Sequence, residues 1–310
     1  MTLPPLLRDR LSLPLIGSPM FIISQPDLVI AQCRSGIVGA FPSLNARPAG
    51  MFESWLQQLG EALGESDAPF AVNLIVHRTN SRLEEDLALC VRYRVPIVIT
   101  SLGAREDVND AIHSYGGIVL HDVINNVFAR KAVEKGADGL IAVAAGAGGH
   151  AGTLSPFALI QEIRAWFDGP LALSGSIATG RAIAAARMMG ADLGYMGTPF
   201  IATEEANAQV AYKQMIVDGS AQDIVYSDAF TGVLGNYLRP SIVAAGLDPD
   251  ALPKAKDMDF ASLTGGEKKA WRDVWGAGQG IGAIAKVQPA ADFIAGLKAD
   301  YRAAVEGFTA

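Results

Sequence analysis

The stretch Ala145-Gly-Ala-Gly-Gly-His150-Ala-Gly152 joins a flexible backbone to one titratable side chain, directly after the apolar run Gly139-Leu-Ile-Ala-Val-Ala144. Glycine has no Cβ to collide with a flat ligand, so a strand opening into such a loop lets backbone approach one closely, with His150 as the nearest acid or base. A lone histidine in a loop is more often an ordinary loop residue. Small residues on both sides of it are not ordinary turn composition, however, and favour the chemical reading. A dinucleotide loop is the other rival, because Gly146-Ala-Gly148-Gly-His-Ala151 fits a GxGxxG/A pattern. That pattern requires a helix opening from the loop and an acidic residue about 20 positions on, ending the next strand. Here the next helix begins later, near Ser155-Pro156, where serine can cap and proline suits the first turn. Asp168 precedes the strand Leu171-Ala-Leu-Ser174 instead of ending it, which disfavours a dinucleotide site.

Two further loops offer an anion cradle. Ser174-Gly175-Ser176-Ile177 leads to Thr179-Gly180-Arg181 at a helix start, and Met196-Gly197-Thr198-Pro199 follows another apolar run. Backbone N–H groups of the glycines in these loops, helped by a helix N-terminus, would hold an anion without a lysine; the alternative is that the glycines only permit tight turns. Asn73 lies inside Phe-Ala-Val-Asn-Leu-Ile, where an amide must find partners or cost a few kcal/mol. The donor/acceptor edge of a flavin pyrimidine ring would satisfy it, and so would a neighbouring loop. Gly17-Ser18-Pro19-Met20 completes the constellation.

The elements that must position these residues recur as short apolar runs separated by amphipathic stretches, the pattern of βα units feeding a parallel sheet. Eight strand candidates begin near residues 15, 36, 70, 96, 117, 138, 171 and 193. Helical segments fill the intervals, and eight such strands within about 200 residues favour a (β/α)8 TIM barrel of the α/β class over an open doubly wound sheet. Lys135-Gly-Ala-Asp138 and Met189-Gly-Ala-Asp192 each end a helix at glycine and lead into a strand. After Thr203 the rhythm changes, and the stretch from Asp223 to Leu238 reads as helical or irregular. The expected division is therefore a barrel from 1–203 and 268–310, with 204–267 as a small, mostly helical lid over its mouth. Trp275-Gly-Ala-Gly-Gln279-Gly-Ile-Gly282 returns a glycine-rich piece to the barrel before a final helix from about Pro289 to Val305.

Composition excludes several classes. The chain has 310 residues, half of them hydrophobic, which argues against disorder. A net charge of −7 without a lysine/arginine cluster argues against a nucleic-acid surface and for a small-molecule substrate. Cys33 and Cys90 lack the paired spacing of a zinc site or disulfide framework, His77, His113, His121 and His150 have no close ligand spacing, and no metal is expected. The N-terminus lacks the features of a secretory signal and no apolar run approaches the ~18 residues that span a bilayer, so a cytoplasmic protein without a membrane partner is expected. Oligomeric state is not readable, although apolar helices outside a barrel commonly pair.

These pieces together resemble the nitronate monooxygenases, formerly called 2-nitropropane dioxygenases. The matching motifs are Gly-Ser-Pro-Met20, Val-Asn73-Leu, Ala-Gly-Gly149-His150-Ala-Gly, Ser-Gly175-Ser176-Ile with Thr-Gly-Arg181, Met-Gly197-Thr198-Pro-Phe-Ile-Ala-Thr-Glu204 and Ala-Gly-Gln279-Gly-Ile-Gly. They keep their order over almost the whole chain. The resemblance implies an FMN-containing TIM barrel with a helical lid that uses O2 to oxidise alkyl nitronates to carbonyl compounds and nitrite. It implies that Ser18, Pro19 and Met20 lie along the flavin by backbone, that Asn73 bonds its pyrimidine edge, and that Gly149 lies beside it. It further implies that Gly175, Ser176, Gly197 and Thr198 hold the phosphate, that Gln279 approaches from the late segment, and that His150 faces the substrate. Ser176 stands where the family often has a second glycine, Thr179 where an acid is frequent, and Asp122 where some relatives carry a base. The alternatives are an NAD(P)H-dependent flavin reductase acting on quinones or enoyl thioesters, and a non-catalytic FMN or phosphate-ligand binding protein.

Overall fold

The computed structural model describes residues 3–254 and 273–309. Eight of its strands form one parallel sheet: β1 (Leu15–Gly17), β2 (Gly39–Pro42), β3 (Phe70–Ile75), β4 (Ile97–Ser101), β5 (Ile118–Val123), β6 (Gly139–Val143), β8 (Leu171–Ser174) and β9 (Leu193–Met196). Each neighbours its predecessor in parallel register, and β9 returns to β1. The sheet closes where the Gly17 N–H donates to the Val38 carbonyl at 2.8 Å and the Val38 N–H to that of Leu15 at 3.1 Å. This is the (β/α)8 barrel that the strand spacing predicts.

Around it run α1 (Pro5–Arg8), α2 (Pro26–Arg34), α3 (Met51–Ala62), α4 (Leu83–Arg92), α5 (Glu106–His113), α6 (Asn126–Glu134), α7 (Pro156–Arg164) and α8 (Gly180–Met188). Local chemistry starts several of these helices. The side chains of Asn125 and Thr179 accept from Phe128 and Ala182 N–H at the starts of α6 and α8, while α2 and α7 open on Pro26 and Pro156. Ser155 occupies the N-cap of α7, but its hydroxyl makes no cap bond.

Side-chain alternation along the strands decides what the barrel encloses. Ala71, Ile97, Ile99, Ile118, Leu120, Ile141 and Leu193 point inward and pack with Leu7 of α1, filling the N-terminal part of the barrel. Val72, Leu74, Val98 and Val119 point outward against the helices. Continuing the inward set by two residues reaches Asn73, Ser101, Asp122 and Tyr195, so a polar layer sits on top of an apolar plug.

Beyond β9 come α9 (Thr198–Ile201), α10 (Val210–Asp218), β10 (Ile224–Ser227), β11 (Gly235–Leu238), α11 (Arg239–Ala244) and the C-terminal α12 (Ala290–Thr309). The stretch read as helical or irregular between Asp223 and Leu238 is an antiparallel hairpin of β10 and β11. Its strands are short and their alternation is weak, so the pairing depends on a partner distant in sequence. That partner is β7 (Gly149–His150), which adds to β11 and completes a three-stranded sheet. The expected end of the added segment at 267 lies outside the described residues. Among those described, no helix is long and apolar enough to cross a membrane.

Candidate active site

A cavity of about 290 Å³ opens at the C-terminal end of the barrel strands, the end at which ligands bind in barrels of this kind. Ser18, Pro19, Met20, Asn73, Gly149, His150, Gly175, Ser176, Gly197 and Thr198 all line it. Gln279 does not; it is exposed, and its backbone N–H donates to the Gly146 carbonyl at 2.9 Å, which ties the late glycine-rich segment to the loop after β6.

The loop after β1 is held from the side. Asn45 donates through Nδ2 to the carbonyls of Met20 (3.0 Å) and Ser24 (2.8 Å), and its Oδ1 accepts from the Ile22 N–H at 2.8 Å. This clamp keeps Ile22 at φ +69°, a strained conformation for a β-branched residue, and fixes the path of Ser18 to Met20.

Three loops are knitted together on the opposite wall. The Ser176 N–H donates to the Gly146 carbonyl at 3.3 Å, and the Gly278 N–H to Thr198 Oγ1 at 2.8 Å. Gly175 holds φ +137°, and a Cβ there would stand 2.7 Å from the Ala145 carbonyl, so only glycine fits this crossing. Ser176 follows at φ +57°, a left-handed conformation that glycine would take without steric cost. The N-terminus of α8, expected to assist this wall, is already committed: Ala182 donates to Thr179 and the Arg181 N–H to Asp300 Oδ2 at 2.8 Å. Thr179 and Gly180 serve the packing of α8 against α12, since a Cβ on Gly180 would collide with the backbone at Leu297 and Tyr301.

The polar layer is a chain across three adjacent strands. Asn73 Nδ2 donates to the Ile99 carbonyl (2.9 Å) and to Ser101 Oγ (2.7 Å), and Ser101 Oγ donates to Asp122 Oδ2 at 2.6 Å. Both amide hydrogens of Asn73 are thus spent, and its Oδ1 remains as an acceptor on the cavity wall. Burial pushes the Asp122 carboxyl up to about 6 against the opposing hydrogen bond from Ser101, and burial together with the Asp122 charge keeps the Tyr195 phenol protonated. Ser101 and Tyr195 were missed as site residues from sequence, and Asp122, noted there only for its departure from the family pattern in a loop after the fifth strand, belongs to β5 itself. The signal that finds them is strand parity, two positions beyond Leu120, Ile99 and Leu193. His121, left between core and pocket by the sequence, points outward, does not line the cavity, and pairs through Nδ1 with Thr100 Oγ1 at 2.6 Å.

His150 is presented by β7, with its Nε2 at 2.9 Å from Oγ1 of the buried Thr231. Burial lowers its pKa to about 4, so the imidazole is neutral near pH 7. The cavity therefore combines a neutral imidazole, a carboxyl that changes charge near pH 6, a buried amide oxygen and a glycine-lined wall. That set suits proton handling beside a flat ligand.

The nitronate monooxygenase family profile matches residues 78–300 of this chain. The chain belongs to this family. Membership makes it an oxidoreductase whose general chemistry is nitronate oxidation, and it agrees with the family to which the motifs point. The chain is 25% identical to the nitronate monooxygenase of Paraburkholderia phytofirmans over 94% of its own length and 93% of the relative's. Its fold is similar to that of FabK from Thermotoga maritima (TM-score 0.80, 24% identity, 98% of this chain and 96% of that one). It is likewise similar to the nitroalkane oxidase of Streptomyces ansochromogenes (TM-score 0.79, 22% identity, 98% and 99%). These two likenesses show the fold alone.

Proposed function

We propose that this protein oxidises alkyl nitronates and their parent nitroalkanes to carbonyl compounds and nitrite, with FMN as cofactor and O2 as oxidant. The observation that carries this reading is the placement of His150 on the wall of a glycine-lined cavity at the strand ends of a barrel in the nitronate monooxygenase family.

The residues present fit a flavin. Asn73 spends both amide hydrogens on protein partners and would meet the ring N–H of a pyrimidine edge as an acceptor, while Gly175, Gly197 and Thr198 line the cavity where a phosphate would approach and Ser176, whose N–H is given to the Gly146 carbonyl, would border it. In this reading Ser18, Pro19 and Met20 lie along the ring by backbone, Gly149 borders it, and Gln279 closes the rim. The bound flavin supplies the electron chemistry with O2. In this reading the segment that follows Thr203, as far as residue 254, acts as the lid, with Tyr212 of α10 reaching the cavity.

His150 handles the proton. As a neutral imidazole it accepts the α-proton of a neutral nitroalkane. An anionic nitronate beside it favours the charged form and raises its pKa, so binding the anion and protonating His150 are linked. Asp122 and Tyr195 lie in the polar layer and hold protons, Asp122 up to about pH 6.

The test is the visible spectrum of the purified holoprotein under anaerobic conditions, before and after a nitronate, and separately with NADH or NADPH. Bleaching by the nitronate alone supports the proposal. Reduction only by nicotinamide assigns the protein to the flavin reductases acting on quinones or enoyl thioesters, and a spectrum without flavin overturns the reading. Replacing His150 with asparagine should lower turnover of neutral nitroalkane by about 100-fold or more, the usual worth of a general base.

A further inference from the structure

The hydrogen bonds from Asn73 to Asp122 run in one direction. The Ile99 carbonyl can only accept, so it holds the Asn73 amide with Nδ2 towards it. Ser101 Oγ receives from the same Nδ2 and has its own proton left for Asp122 Oδ2. Asp122 is therefore the end of the chain. Its Oδ1 has no hydrogen-bond partner among the described residues, and the carboxyl lines the cavity, only partly buried. No lysine or arginine lines this cavity among the described residues, and no cation acts on Asp122. The titratable groups that share the space are Tyr195 on β9, His150 on β7 and Tyr212 on α10. His121, next to it on β5, turns away to Thr100 on β4, and β6 on the other flank is Gly-Leu-Ile-Ala-Val. The ionisable residues of the flanking helices α5 and α6 are exposed outside the barrel.

We propose that Asp122 takes up a proton when the bound flavin is reduced, which couples electron entry at the ring to proton entry at the floor of the site. The proposal rests on the flavin reading of the cavity, in which Asn73 meets the pyrimidine edge, and it adds what balances the charge there. Two electrons from the reductant, dithionite in the experiment, enter with one proton and leave one negative charge on the ring. Charge close to the ring nitrogens tunes a flavin's electron affinity. With no cation to share the new charge, the neighbouring carboxylate is disfavoured and takes a second proton from solvent to become the neutral acid. Two electrons and two protons are then bound in all. Burial already raises this carboxyl to about 6, so the second proton is within reach near neutral pH.

The experiment is a spectroelectrochemical titration of flavin-loaded protein at several pH values between about 5 and 8. Wild type is compared with Asp122→Asn, which keeps the shape and still offers an acceptor to Ser101. The two profiles are expected to coincide near pH 5, where the carboxyl is protonated in both redox states. Above about pH 6 the wild type should become harder to reduce than the variant by about tenfold per pH unit, or about 30 mV for a two-electron couple. The reduced-minus-oxidised infrared difference spectrum at pH 7 should carry a protonated-carboxyl band in the wild type and lack it in Asp122→Asn. Profiles that coincide or run parallel at every pH overturn the proposal, as does a wild-type spectrum without that band. Ser101→Ala is the second variant. It removes the hydrogen bond that favours the carboxylate, so the bend in its profile should move to higher pH, and an unmoved bend also overturns the proposal. If the profiles behave as stated while a nitronate leaves the flavin oxidised, the coupling at Asp122 stands and the nitronate reading falls. A protein that holds no flavin overturns both.

Discussion

Asn236 of β11 donates through Nδ2 to the carbonyl of Ala147 at 2.6 Å, so the segment inserted after the barrel grips the glycine loop that follows β6. Asn236 is buried, and the loop it grips would otherwise have little side-chain packing of its own. Replacing Asn236 with alanine leaves the Ala147 carbonyl without its partner and should cost about 1–3 kcal/mol. Urea denaturation measures the loss. Hydrogen exchange should show faster opening at residues 147–150 than in the barrel strands, because the hairpin is the loop's support.

Asp122 gives a pH dependence of definite sign. Its carboxyl rises from 3.8 to about 6 in the folded protein, so between these values the folded state keeps a proton that the unfolded chain releases. Stability therefore falls as pH rises from about 4 to 6, and the whole cost is present above 6. The gap corresponds to at most about 3 kcal/mol. Asp122→Asn should abolish this component, and comparing urea midpoints of the two proteins at pH 4.5 and 7 isolates it. Equal differences at both pH values would contradict the buried, raised carboxyl.

His121 acts in the opposite direction. Burial lowers it from 6.5 to about 4, so the folded state refuses a proton that the unfolded chain takes, and stability is lost as pH falls through that window. Its partner is Thr100, outside the cavity. The double replacement Thr100→Val with His121→Leu should reduce this acid-side loss while leaving nitronate turnover unchanged, as steady-state assays at pH 7 would reveal.

Gly180 is required by packing. A methyl group there meets the α12 backbone at Leu297 and Tyr301, which cannot yield as a flexible side chain would. Gly180→Ala should destabilise the protein by about 1–3 kcal/mol through overpacking, despite alanine's better helix propensity. Thermal unfolding tests the sign, and a stabilised variant would mean that α12 is free to shift.

Much of the barrel was legible because its information is local. Each strand is a short apolar run, each helix is amphipathic, and glycine marks the joins at Lys135-Gly136 and Met189-Gly190. The glycine loops and His150 were legible for the same reason: composition alone sets them apart from ordinary turns. Asp122 and Ser101 were not, because a polar residue at a strand end looks the same whether it faces ligand or helix until the inward parity of Leu120 and Ile99 is known. Thr231 and Asn236 carry no sequence signal, since their partners, His150 and Ala147, lie 81 and 89 positions away.

By itself, then, the sequence determined the alternation of strand and helix, the closed barrel it implies, the family, and the loops that gather at one end. Only the tertiary structure decided that Gly149 and His150 become a strand, that a hairpin and not a helix supports them, and that Asp122 enters the cavity while His121 turns away. The physical reason is that periodicity and turn chemistry act over a few residues. A two-residue strand and a buried hydroxyl gain their energy only from partners that folding brings across the chain.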